Sequence, residues 1–124
     1  MIIFTKEAEC SVKRKIVAII TDILGDRVVI GEKELSHAIE DHFSAVPQDI
    51  MLEIIERVLK DPSAIYQDNK KKEQLFNFFY RLEKGPKYLL TVVKVTSEGA
   101  FFASMYPTGK KIRNKHKNLK KVKL

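Results

Sequence analysis

The sequence predicts an α+β fold, with N-terminal helices packed on one face of a C-terminal antiparallel sheet of about four strands. Three observations predict it. Apolar residues recur at helical spacing in the first half, at Val12, Ile16, Ile19, Ile20 and Ile23 and again at Ile50, Ile54, Ile55, Val58 and Leu59. The second half holds Tyr88-Leu-Leu-Thr-Val-Val-Lys-Val-Thr96, a β-branched run followed by a Ser97-Glu-Gly99 turn and a second apolar run. A chain of 124 residues, 44% hydrophobic and 31% charged, has the size and balance of one soluble domain with its own core.

The elements follow in order. Ile2–Thr5 is a short β-like run. Residues 7–24 read as an amphipathic helix with Lys13, Arg14 and Lys15 facing outward, and Gly25 supplies its stop. Arg27–Ile30 is a short β-like connector. Residues 32–43 form a second helix with Leu35, Ile39 and Phe43 as its apolar stripe and Ala38 beside it. Gln48–Lys60 is a third, closed by Asp61-Pro62. Ser63–Tyr66 is extended or a turn, and the polar residues 67–72 read as a loop. Leu75–Leu82 fits either period, but its aromatic content and the Gly85-Pro86 turn favour a strand. Ala100–Tyr106 pairs with Tyr88–Thr96, and Pro107-Thr-Gly109 ends it. Residues 1–109 are thus expected to form a single domain, and residues 110–124 a basic C-terminal tail.

The charge is unevenly placed. Residues 1–109 carry 15 Lys/Arg against 16 Asp/Glu, whereas residues 110–124 carry eight Lys/Arg and no acid, so the tail holds the whole excess of the net +7. Lys110, Lys111, Arg113, Lys115 and Lys117 are the expected contacts to a phosphate backbone. A solubilising tail is the plainer alternative. No apolar run approaches the ~20 residues of a bilayer span, and the N-terminus lacks the pattern of a signal peptide. A cytoplasmic protein without membrane contact is the expectation. Cys10 is the sole cysteine, which excludes an intrachain disulfide and a cysteine-cluster metal site. There is no phosphate-cradling glycine loop, no dinucleotide fingerprint and no His-Glu-x-x-His helix, so no cofactor and no metal are expected.

Two of the three histidines, His37 and His42, fall on the helix over residues 32–43. At about 100° per residue they lie about 140° apart, with His42 at the edge of the apolar stripe, so the two cannot serve one atom. An imidazole titrates near pH ~6.5 and can move a proton at neutral pH. Cleavage of RNA by transesterification needs a base for the 2′-hydroxyl, an acid for the 5′-oxygen and cations or donors for the phosphorane. On the sheet, Lys94 shares a face with Tyr88, Leu90 and Val92, and Ser104 is expected to share one with Phe102 and Tyr106. Lys94 reads as a phosphate-binding cation or as an edge lysine that discourages strand pairing. Tyr88 and Tyr106 suit stacking on an unpaired base or a place at the core boundary.

The segment His37-Ala-Ile-Glu-Asp-His42 resembles the His-Ile-x-x-Arg-His motif of phage-associated nucleases in the barnase–EndoU–colicin–RelE superfamily. Asp61-Pro-Ser-Ala-Ile-Tyr66 is similar to that group's Asn-Pro-x-x-Ile pattern, and the sheet closes with Phe102-Ala-Ser-Met-Tyr106. The resemblance covers roughly residues 28–113 in layout. It implies a metal-independent ribonuclease, toxin-like or phage-derived, with helices packed on a four-stranded sheet. It implies a histidine acid or base at His37 or His42, a phosphate-binding cation at Lys94, and a hydroxyl donor at Ser104, Tyr106 or Thr108. Two positions depart from the motif: Asp41 stands where a basic residue is usual, and Ala38 where a larger aliphatic is usual. The alternatives are a non-catalytic nucleic-acid-binding protein anchored by the tail, or a toxin–antitoxin-type interaction protein. RNA is the expected partner, with an inhibitory or antitoxin protein as a second one.

Overall fold

A computed structural model describes residues 15–71, 73–83, 88–109 and 119–123 of the chain. Its centre is a seven-stranded sheet. The strands are β1 (Ile16–Thr21), β2 (Arg27–Gly31), β3 (Ala64–Lys71), β4 (Gln74–Leu82), β5 (Tyr88–Thr96), β6 (Gly99–Thr108) and β7 (Lys120–Val122). Two helices, α1 (Glu32–His42) and α2 (Gln48–Lys60), lie in sequence between β2 and β3. The strand order across the sheet is β1-β2-β6-β5-β4-β3-β7. All neighbours run antiparallel except β2 and β6, which are parallel through Val28↔Ala100 and Val29↔Phe101.

This corrects the expected architecture of N-terminal helices on a four-stranded antiparallel sheet. The described part of the first expected helix, residues 15–24, is a strand and turn. In Ile16-Val-Ala-Ile-Ile20 every position is apolar, so helical spacing is satisfied by default and cannot discriminate. β-branching then favours the pleated form, and Gly25 at φ 92° closes a tight turn into β2. The expected loop at 67–72 is also a strand through Lys71, because hydrogen bonding to β4 and β7 does not require apolar side chains. Lys120–Val122, within the expected tail, pairs antiparallel with β3. The proposed strand at Ile2–Thr5 and the start of the first helix lie outside the described residues.

The two helices, the elements from Leu75 to Leu82 and Tyr88 to Thr96, and the turn before Gly99 (φ 138°) stand where the sequence placed them. In α1, Leu35 and Ala38 are buried, and Ile39 and Phe43 pack against the core. In α2, Met51, Ile55, Val58 and Leu59 are buried, whereas Ile50, expected inside, is 41% exposed. These side chains meet Ile20, Val28, Ile30, Ile65, Phe79, Val93, Ala100, Phe102 and Met105 from one face of the sheet. That face is the core. Among the described residues no helix is long and apolar enough to cross a membrane.

A short clamp joins the end of α2 to the sheet. Arg81 donates from its guanidinium to the Asp61 carbonyl and carboxylate at 2.5 and 2.7 Å. The Ser63 N–H donates to the Tyr80 carbonyl at 2.6 Å, and the Leu82 N–H donates to the Ser63 hydroxyl at 2.9 Å. The Asp61-Pro-Ser63 turn therefore sets how β3 enters beside β4, and with it the place of Tyr66 beside Tyr80.

Candidate active site

The second face of the sheet is aromatic. Tyr80, Leu90 and Val92 are buried on it, with Tyr66, Phe76, Phe78, Tyr88, Ala103 and Tyr106 packed around them. Alternation along β4 alone puts Phe76, Phe78, Tyr80 and Leu82 on this side. The rings touch in sequence across the strands. Tyr66 meets Tyr80 edge-on at 5.6 Å between centroids, and Tyr80 meets Tyr88 edge-on at 6.4 Å. Such T-shaped pairs are a favoured arrangement of aromatic rings.

His42 joins this face from the side. Strand β2 pairs with β6 only at Ala100 and Phe101, so beyond them the edge of β6 lies beside α1. The last turn of α1 carries the His42 ring to 5.5 Å from the ring of Tyr106, at 42°. His42 is exposed, and so is His37, one and a half turns earlier. No hydrogen bond, ion pair or ring contact among the described residues involves His37. The helix therefore divides the two histidines as its periodicity requires, and the one at the edge of the apolar stripe reaches the sheet.

An irregularity in β6 sets which side chains accompany them. Val92 pairs with Ser104 but Val93 pairs with Phe102, so Ala103 is an extra residue. This bulge corrects the expectation that Ser104 and Phe102 share a face. Phe102 turns into the core, whereas Ser104, Tyr106 and Thr108 stand together on the aromatic face opposite Val92, Leu90 and Tyr88. Adjacent members of that trio are about 6.6 Å apart along the strand.

Lys94 lies on the same face, opposite Phe76 on β4 and Phe101 on β6. Strand β5 has a neighbour on each side, so Lys94 is no edge lysine, and protection against strand pairing does not explain it. It stands two rows of side chains from Tyr106, about 13 Å along the strand. Lys110, Lys111, Arg113, Lys115 and Lys117 lie outside the described residues. Lys121, in β7, shares a face with Tyr66.

Burial pushes the Tyr80 hydroxyl well above the ordinary phenol range, with the nearby Tyr106 and Tyr66 adding to the shift. Burial raises Tyr106 as well. Both are neutral phenols at physiological pH and act as hydrogen-bond donors or acceptors, not as bases. Among the described residues, no three His, Cys, Asp or Glu side chains gather in a group that could hold a metal ion.

A family model described as phage-Barnase-EndoU-ColicinE5/D-RelE like nuclease2 matches residues 4–124, almost the whole chain. The chain belongs to this family. Its phage-associated, nuclease-like character supports a nuclease function in general. No curated protein and no solved structure matches the chain. Of the residues that the sequence singles out, His37, His42, Lys94, Ser104, Tyr106 and Thr108, the fold brings the last five to one face and leaves His37 apart from them. Sequence reasoning passed over Tyr66 and Tyr80. Their signal was present: Tyr80 follows Phe76 and Phe78 at strand period, and Tyr66 ends the Asp61–Tyr66 segment.

Proposed function

We propose that this protein is an endoribonuclease that cleaves the RNA backbone without a metal, using His42 for acid–base chemistry. The observation that carries the reading is the His42 imidazole beside Tyr106, at the rim of an aromatic sheet face bearing hydroxyls and lysine. A 2′-hydroxyl gives up its proton, its oxygen attacks the adjacent phosphorus, and the 5′-oxygen leaves and takes a proton. The products are a 2′,3′-cyclic phosphate and a 5′-hydroxyl. His42 moves the proton at one of those two oxygens. The neutral phenol of Tyr106 and the hydroxyls of Ser104 and Thr108 donate to the non-bridging oxygens as charge builds there. Lys94 holds a phosphate further along the strand. The eight Lys/Arg between Lys110 and Lys123 draw the polyanion in, so affinity falls steeply with salt.

The test is incubation of a mixed, end-labelled RNA with the protein in chelator. Wild type should cleave it. His42→Ala should lose about 10²–10⁴-fold in rate with its melting temperature unchanged, while His37→Ala stays within about threefold. Loss of activity on chelation, or equal loss in the two histidine variants, would overturn this assignment. Intact RNA throughout, with a salt-sensitive band shift, would leave a nucleic-acid-binding protein.

A further inference from the structure

Away from His42 the aromatic face carries a second pattern. Asp68, Phe76, Lys94, Phe101, Val29 and Ile19 lie side by side in one row across β3, β4, β5, β6, β2 and β1. Lys94 is thus flanked on both neighbouring strands by a phenylalanine on its own face. All three side chains are half-buried. The ring of Phe78, one row nearer the centre, lies 6.5 Å from that of Phe76 with planes 32° apart. A half-buried lysine can lay its methylene stem along apolar neighbours while its ammonium stays toward water. A charge in the middle of a sheet, between aromatic faces, matches a ligand that pairs flat apolar surface with a single anion.

We infer that Phe76, Lys94 and Phe101 form a stacking subsite for one unpaired nucleotide of a nucleic-acid strand, with the base on a phenylalanine ring and its phosphate on Lys94. The inference rests on the nucleic-acid reading above, but not on the chemistry assigned to His42. Every base offers a π-face, so such a platform is tolerant of sequence and demands a base that is not already paired. The row lies about 13 Å along the strands from that of Tyr80 and Tyr106. It therefore holds a different nucleotide from the one whose phosphate meets His42.

The experiment uses the full chain and a single-stranded 2′-O-methyl RNA oligomer carrying 2-aminopurine, which cannot form the cyclic ester and fluoresces less when its base stacks. The protein should bind it and quench it. Phe76→Leu and Phe101→Leu keep apolar bulk but remove the ring; each should weaken binding roughly tenfold and restore fluorescence. Lys94→Met should lower the salt slope of binding by about one. Quenching and affinity unchanged in both phenylalanine variants would overturn the subsite, as would equal binding of duplex RNA or no binding at all. The two readings fail separately. Uncleaved RNA with ring-dependent quenching sinks the nuclease and keeps the subsite. Cleavage with ring-independent quenching does the reverse.

Discussion

The two faces of this sheet are built from similar residue types and end up with different chemistry. The core face takes Ile65, Phe79, Val93, Phe102 and Met105 and is covered by α1 and α2. The other takes Tyr66, Phe76, Phe78, Tyr80, Tyr88 and Tyr106, and among the described elements only the end of α1 reaches it. Phe78 and Phe79 are adjacent in sequence, yet one is half-buried among tyrosines and the other is sealed under a helix. The difference lies in which face receives a covering layer. Among the described elements, the face without a helix leaves the rings of Tyr66, Phe76, Phe78, Tyr88 and Tyr106 half-buried, while the rings under a helix are sealed and serve stability.

The largest effect should come from testing that asymmetry directly. Phe79→Ala opens a cavity in a fully buried site and should cost about 3–5 kcal/mol in urea or guanidinium unfolding. Phe76→Ala, across the sheet and half-buried, should cost well under half as much. Equal costs would mean that both faces are covered to the same degree, and the aromatic face would lose its claim to be a binding surface.

Next in size is the response to alkali, which sharpens the contrast because the ionisable tyrosines lie on the aromatic face. Tyr80 and Tyr106 are held above the ordinary phenol range by burial. Below pH ~10 both folded and unfolded chains keep these protons, and the phenols make no pH-dependent contribution. Above it the unfolded chain ionises first, so stability falls as pH rises toward the folded values. Chemical unfolding followed from pH 8.5 to 11.5 should show this fall, and Tyr80→Phe should flatten part of it. An unchanged slope in that variant would mean that Tyr80 ionises as it does in the unfolded chain.

What the sequence disclosed follows the same division between local and long-range causes. The helix carrying His42 was legible because Leu35, Ala38, Ile39 and Phe43 encode one face within eleven residues. The strand Tyr88–Thr96 was legible from β-branching. The strand at Ile16–Thr21 was not, because its uniform apolarity fits both periods and only pairing with Val28–Ile30 decides. The parallel contact of β2 with β6 joins residues some seventy positions apart, and no local pattern announces it. The bulge at Ala103 left no mark either, and strict alternation put Phe102 on the wrong face. The candidate site was half visible: His42, Lys94 and Tyr106 stand out by residue type, whereas Tyr66 and Tyr80 join the aromatic face only through the strands beside them.

The smallest predicted effect concerns the core face. Thr91 is fully buried there, opposite Phe79 and Met105, and its hydroxyl has no hydrogen-bond partner among the described residues. A buried hydroxyl without a partner loses its hydration and gains nothing in return. Thr91→Val replaces it with a methyl group of nearly the same shape at a strand position suited to valine. The variant should be more stable by about 1 kcal/mol, with RNA cleavage unchanged, because the side chain points away from the aromatic face. A loss of stability would show that the hydroxyl has a partner in solution, most simply a buried water. A loss of cleavage at unchanged stability would be more telling: the two faces of β5 would then be coupled, and separating a face for folding from a face for binding would be wrong for this strand.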